Sequence, residues 1–280
     1  MASMRDIKRR KSSIQSTQQI TKAMKLVSTV KLQRAKQRAE HSRVYFDAMY
    51  QTVSSMLAKA ANIPHPYTTG NDSPRKAIVM ITGNRGLAGG YNSNIIKLIT
   101  KSDFKQEELD LYTIGNKGRD TMKRMGYIIK EAYGELAEEP SYSEAMQICR
   151  NLLTSYKNGE IGEIYLAYTS FKNTVSHEPK LIRLLPADTT GADTTVAMNF
   201  EPEEEDALDY IIPQYVASLI YGGLVESIAS ENGARMQAMD SATSNAEEMI
   251  GSLSLLYNRA RQGAITQELT EIIAGANAIS

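Results

Sequence analysis

An α/β fold with long terminal helices of coiled-coil character is the class this 280-residue sequence predicts, and three observations predict it. The first 62 residues contain neither Gly nor Pro, the strongest helix breakers, and the chain after Pro213, its last proline, is again dominated by helix formers. Between these ends, stretches that read as strands alternate with stretches that read as helices. Apolar residues at both ends recur at alternating spacings of three and four, the mark of a coiled-coil seam.

Residues 1–62 therefore read as one N-terminal helix. At 1.5 Å per residue it would run roughly 90 Å, against about 50 Å for a compact globule of this chain, so it is expected to project. Its seam reads Phe46, Met49, Val53, Met56 and Ala60. Residues 207–280 form its C-terminal counterpart, with seam positions Met236, Met239, Thr243, Ala246, Ile250 and Leu253, continued by Tyr257, Ala260 and Ala264. The stripe then restarts one residue along, at Ile265, Leu269, Ile272, Ala276 and Ile279, a stutter that rotates the seam near the tip.

The central domain is expected over residues 75–190. "RKAIVMIT" (75–82), "LDLYTI" (109–114), "GYIIKEA" (126–132) and "EIYLAYTSF" (163–171) read as strands, with helices near 93–102, 117–125 and 142–157. That alternation implies a mainly parallel sheet covered by helices. "KLIRLLP" (180–186) follows without an intervening helix and reads as an antiparallel edge strand. "NIPHPYTTGNDSP" and "PADTTGADTT" read as the loops on either side.

Composition narrows the chemistry. The single cysteine, Cys149, allows neither an internal disulfide nor a thiolate metal cage, which points to a reducing compartment. No run of about 18 apolar residues suggests a membrane span, and "MASMRDIKRRK" lacks the apolar stretch of a secretory signal. The net charge of zero hides an asymmetry: residues 1–43 hold twelve Lys or Arg against Asp6 and Glu40, while acid is densest in "EPEEEDALD" (201–209). Two ends so different in charge are expected to meet different partners.

No stretch reads as a catalytic or cofactor site. The turn "TGNRGLAGGYN" (82–92) lies between a strand and a helix, as phosphate loops do, but Gly83, Gly86, Gly89 and Gly90 match neither G-x-G-x-x-G nor G-x-x-x-x-G-K-[ST]. A tight turn pressed against a neighbour is the favoured reading. His41, His65 and His177 lie apart, and Cys149 sits among Met146, Leu152 and Leu153 as a buried core thiol would. The acidic run precedes the second long helix, where carboxylates favour a helix start.

Two functions from different classes remain open on the residues alone. The basic segment "RDIKRRKSS" would suit a nucleic-acid backbone, although no aromatic residue interrupts it before Tyr45 and the chain has no tryptophan. The other reading is a structural shaft linking proteins. It is favoured by the seam of "ARMQAMDSATSNAEEMI" (234–250), where Ala, Thr, Ser and slender Met bring helices close while burying little area. Such a rod would be weak alone and suited to threading a narrow hole.

Taken together, "SMRDIKRRKSSIQSTQQITKAMKLV", "NRGLAGGYN" and "YNRARQGAITQELTEIIAGA" resemble the gamma subunit of F-type ATP synthases over nearly the whole chain. The resemblance implies an antiparallel coiled coil of the terminal helices plus a central Rossmann-like αβ domain. It implies a rotor shaft inside a ring of three alpha and three beta subunits, coupling rotation of the ion-driven c-subunit ring to ATP synthesis or hydrolysis. The αβ domain would sit beside the epsilon subunit and the c ring. No catalytic residue, metal, cofactor or nucleic acid belongs to this picture, since nucleotide and magnesium belong to alpha and beta.

Carried over by motif, Arg261 and Gln262 of "ARQ" match a pair that hydrogen-bonds a beta-subunit loop, and Met24 and Lys25 of "KAMKL" lie where the shaft faces the beta subunits. Phe200, Glu201 and Pro202 fall near the part that meets the c ring or epsilon. Lys11 departs from the usual apolar residue, and Asn84 replaces the aspartate common before Arg-Gly-Leu. The sequence opens directly at the family motif, so a bacterial origin and a peripheral place on the cytoplasmic face of the cell membrane are expected.

Overall fold

The computed structural model describes residues 3–59, 65–187 and 204–279. By its contacts the chain divides into two compact units, Thr29–Arg235 and a second made of Met1–Ser28 with Met236–Ser280. The divisions fall inside the first helix, α1 (Met4–Lys59), and the last, α6 (Glu204–Ile279). Of the expected seam and contact positions, Ala60, Phe200, Glu201 and Pro202 lie outside the described residues, as does the side chain of Phe46.

Thr29–Arg235 is built on five strands: β1 (Lys76–Ile81), β2 (Leu109–Ile114), β3 (Ile128–Tyr133), β4 (Glu163–Phe171) and β5 (His177–Leu185). Their spatial order is β3-β2-β1-β4-β5, parallel from β3 to β4, with β5 antiparallel to β4. This is the parallel sheet with one antiparallel edge that the alternation predicts. Edge strand β5 begins three residues earlier than expected, at His177. Pro179 lacks an N–H to donate, and an edge strand tolerates that loss.

The sheet separates two apolar layers because successive β1 side chains point to opposite faces. Ala77, Val79 and Ile81 join Ile148, Cys149 and Leu152 of α5 (Tyr142–Lys157) and Ile212, Val216, Ile220 and Leu224 of α6 in one buried cluster. Ile78 and Met80 pack on the other face with Ile95 and Ile99 of α3 (Tyr91–Thr100) and Met122 of α4 (Asn116–Arg124). Cys149 is fully buried and its thiol donates to the Pro213 carbonyl at 3.3 Å; burial pushes that thiol up to about 12. It is a packing residue and not a nucleophile.

The stretch read as a loop before β1 contains one short helix, α2 (Pro66–Thr69), which His65 caps by accepting the Tyr67 N–H on Nδ1 at 3.2 Å. A window of α6 is long and apolar enough by length and mean hydropathy (1.2) to cross a membrane, yet half of it is buried inside the protein. Its apolarity is spent on the sheet.

Candidate functional site

In the unit of Met1–Ser28 and Met236–Ser280, two helices pair along a narrow seam. The Thr21 and Thr243 hydroxyls lie 2.8 Å apart, and Lys25 Nζ meets Asp240 Oδ1 at 2.6 Å. Four residues forward on α1 correspond to three back on α6, so the helices are antiparallel.

Burial on α6 follows the three-four spacing: Met239 is 4% and Ala246 is 6% exposed, while Met236, Thr243, Ile250 and Leu253 are half-buried. On α1 the matching stripe is Ile7, Lys11, Ile14, Gln18, Thr21, Met24 and Ser28. Only three of these are conventional apolar residues, which is why a hydrophobic pattern alone does not find them. Thr21 and Ser28 also return hydroxyl bonds to their own backbone, to Gln18 O at 3.0 Å and Met24 O at 2.8 Å. Those polar groups can be buried because each donor is satisfied within the helix. Lys11 sits half-buried on this stripe, where its methylene stem can cover the seam and its ammonium reach water.

Other large apolar side chains on the two helices face outward. Ile20, Leu26 and Val27 on α1 and Leu255, Leu256, Leu269 and Ile272 on α6 are exposed, Leu26 by 63% and Ile272 by 67%. A helix pair in water normally buries its large apolar residues, so this outward set is unusual for a free one. Continuing the antiparallel register places Met4 opposite about residue 260, so α6 runs on by about five turns at 3.6 residues each. Arg261 and Gln262 open that single-helix extension and are both exposed. Met24 and Lys25 are half-buried at the edge of the seam.

In the unit Thr29–Arg235, the glycine turn (82–92) is a junction between the sheet's C-terminal edge and α6. Gly83 N–H donates to Asn92 Oδ1 at 2.8 Å, and Gly83 O accepts from Lys117 N–H at 3.1 Å. Asn84 uses both ends of its amide: Nδ2 donates to Gly134 O at 2.7 Å, and Oδ1 accepts from Asn116 N–H at 3.0 Å.

The Glu231 carboxylate of α6 occupies the space above Gly83, where an added Cβ would lie 2.6 Å from Oε1. Arg235 pairs with that carboxylate at 2.5 Å and directs Nε and Nη2 at Gly86 O, each at 3.4 Å. Both ends of the pair are buried, at 11% and 12% exposed. Burial raises the Glu231 carboxyl above its ordinary value, against the pull of Arg235, and raises the buried Tyr91 phenol well above its own. In an open parallel sheet, ligands enter at the C-terminal ends of the strands. Here α6 supplies its own carboxylate against the glycine turn, the close neighbour that the irregular glycine spacing suggests. Among the described residues, no group of three or more His, Cys, Asp or Glu side chains is arranged to hold a metal ion.

These features can be set beside known proteins. The protein-family model described as ATP synthase matches residues 3–279. The chain is 60% identical to the ATP synthase gamma chain of Lachnoclostridium phytofermentans, with the whole of both chains covered. Among solved structures it resembles a chain of the Euglena gracilis mitochondrial ATP synthase (OSCP/F1/c-ring), with a TM-score of 0.75 at 18% identity over 99% of this chain and 94% of that one. It also resembles a chain of the Tetrahymena thermophila mitochondrial ATP synthase central stalk and c ring, with a TM-score of 0.63 at 26% identity over 80% and 99% of the two chains. A family model spanning almost every residue and a relative identical at three positions in five leave one assignment, and the chain belongs to the ATP synthase gamma-chain family.

Proposed function

We propose that this chain is the central rotor shaft of a bacterial F-type ATP synthase: a non-catalytic subunit that turns within a ring of three alpha and three beta subunits. One observation carries the reading. The helix pair mixes small and polar residues (Thr21, Ser28, Thr243, Ala246) into its seam and presents Ile20, Leu26, Val27, Leu255 and Leu256 outward. A free rod gains nothing from exposing those apolar side chains, whereas a shaft surrounded by protein can cover them.

The mechanism is a transfer of binding energy and not bond chemistry. An asymmetric shaft presents a different face to each beta subunit, and each orientation favours a different nucleotide affinity. Rotation then becomes a cycle of affinities through linked binding equilibria. Met24, Lys25, Arg261 and Gln262 are the proposed contacts with beta. An exposed guanidinium beside an amide can form a latch that holds and releases within a turnover.

The αβ domain is assigned to the membrane end, with the epsilon subunit and the c-subunit ring as partners. Phe200, Glu201 and Pro202 are proposed there on the resemblance alone. The resulting location is peripheral, on the cytoplasmic side of the cell membrane.

Purification of the tagged chain from its native membranes tests the reading. Alpha and beta subunits should co-elute, and vesicles carrying the complex should pump ions when given ATP. Tight, steeply salt-dependent binding to DNA or RNA without alpha and beta would instead return the basic α1 segment to the nucleic-acid reading.

A further inference from the structure

The polar hold on α6 ends at a definite point. Ile212, Val216, Ile220 and Leu224 are fully buried in the apolar cluster on the sheet, and toward its end in this unit α6 adds polar contacts, with Glu226 and Ser227 accepting the Phe171 and Thr169 N–H groups of β4. Ser230 Oγ donates to Thr169 O at 3.2 Å; one turn later Arg235 reaches both Glu231 and Gly86 O. Arg235 is also the last residue of the unit, and Met236 begins the other. The hydrophobic attraction is itself non-directional, and it is the interdigitation of the side chains that resists rotation. A guanidinium fork on a fixed carbonyl and a fixed carboxylate is directional.

A buried ion pair is a poor way to add stability, because desolvation offsets most of its attraction. This one is also geometrically close, since a Cβ at Gly83 would lie 2.6 Å from Glu231 Oε1 and displace the carboxylate. The turn that receives it is closed on itself by Asn92 and fastened to the residues that follow β2 by Asn84 and by Lys117 N–H. The receiving side is rigid, so the pair defines an angle and not merely a contact.

We infer that Glu231 and Arg235 form a rotational clamp, which fixes the azimuth of α6 against the glycine turn as the helix leaves the αβ unit, so that turning force on that unit passes into the C-terminal helix without slip. The inference rests on the rotor reading and adds to it the residues through which torque enters α6. Arg235 is thus a positioning residue that touches neither nucleotide nor ion.

The test uses the assembled complex in vesicles, with ATP hydrolysis and ATP-driven ion pumping measured on the same preparation. Arg235→Ala should leave assembly and hydrolysis near wild type while lowering ions pumped per ATP severalfold. Arg235→Lys keeps a cation for Glu231 but loses the fork onto Gly86 O, and should fall between the two. Gly83→Ala attacks the clamp from the other side with every charge retained, so it keeps the test decisive should Arg235→Ala fail to assemble. Wild-type pumping ratios in assembled Arg235→Ala or Gly83→Ala complexes would overturn the clamp with the rotor reading intact. A wild-type complex that neither contains alpha and beta nor pumps would overturn both.

Discussion

The Thr21 and Thr243 hydroxyls meet at 2.8 Å across the antiparallel pair, and Thr243 also returns a bond to Met239 O at 2.7 Å. Threonine is there because it is small enough for close helices and can satisfy its own hydroxyl. Thr243→Val keeps the shape and loses the bonds, so it should cost about 0.5–1.5 kcal/mol. Ala246→Phe forces the helices apart at a position 6% exposed and should cost about 1–3 kcal/mol. Thermal melts of the two variants check both costs: a Phe variant as stable as the unsubstituted protein would place Ala246 off the seam.

Arg261 and Gln262 are both exposed on the extension of α6 beyond the helix pair. Replacing both by Ala should leave the chain's own stability within about 0.5 kcal/mol, as for other surface substitutions. If they latch a beta subunit through charge-assisted bonds of about 1.5–3 kcal/mol, ATP hydrolysis by the assembled complex should slow by roughly tenfold or more. Unchanged turnover in a fully assembled double variant would leave the pair as solvated surface.

Asn84 donates to Gly134 O and accepts from Asn116 N–H, a combination an ionised carboxylate cannot supply. Asn84→Asp keeps the acceptor but sets a carboxylate oxygen against the Gly134 carbonyl. About 1–3 kcal/mol of stability should be lost for that unsatisfied and repelled group. Denaturant titration of the two proteins decides it, and equal midpoints would mean that the turn rearranges around the new charge.

His177, at the start of β5, stacks on Phe171 with ring centroids 5.9 Å apart, and Gly233 of α6 lies so close that an added Cβ would sit 2.8 Å from its Cε1. Both ring nitrogens are buried without a well-formed hydrogen bond. Burial lowers its pKa from the ordinary value, offset in part by the nearby Thr174 backbone. The folded state therefore resists protonation more than the unfolded state does. Stability should hold above about pH 6.5 and decline as pH falls from there through the lower folded value. His177→Asn removes the titration, so its denaturation midpoint should drop less between about pH 7.5 and about pH 5.5 than the wild-type midpoint. Parallel declines would assign the acid sensitivity to other groups.

The sheet was legible because its signals are strong: β1, β2 and β4 are near-continuous apolar runs bounded by turns, as buried parallel strands must be. The seam of α6 was legible from Met236 to Leu253 because Met and Ile mark it often enough. The facing stripe on α1 was not, since Thr21 and Ser28 are buried, and Lys11 and Gln18 half-buried, by proximity and not by hydrophobicity. Nor was the Glu231–Arg235 pair, because an i, i+4 Glu and Arg on a helix reads as a solvated salt bridge until a glycine turn more than 140 residues away in sequence is seen to receive it. Local spacing predicts elements; it does not say which polar residues two distant elements share.

The central claim is that this chain turns inside a ring of alpha and beta subunits while ATP is consumed. A complex immobilised through its beta subunits, with a probe fixed to a cysteine placed on the exposed surface of the αβ unit, tests it directly. Cys149 would not compete for the label, being fully buried with its thiol pushed up to about 12. On addition of ATP the probe should make successive full turns in one direction and stop when ATP is removed. Sustained ATP hydrolysis with the probe stationary would contradict the account.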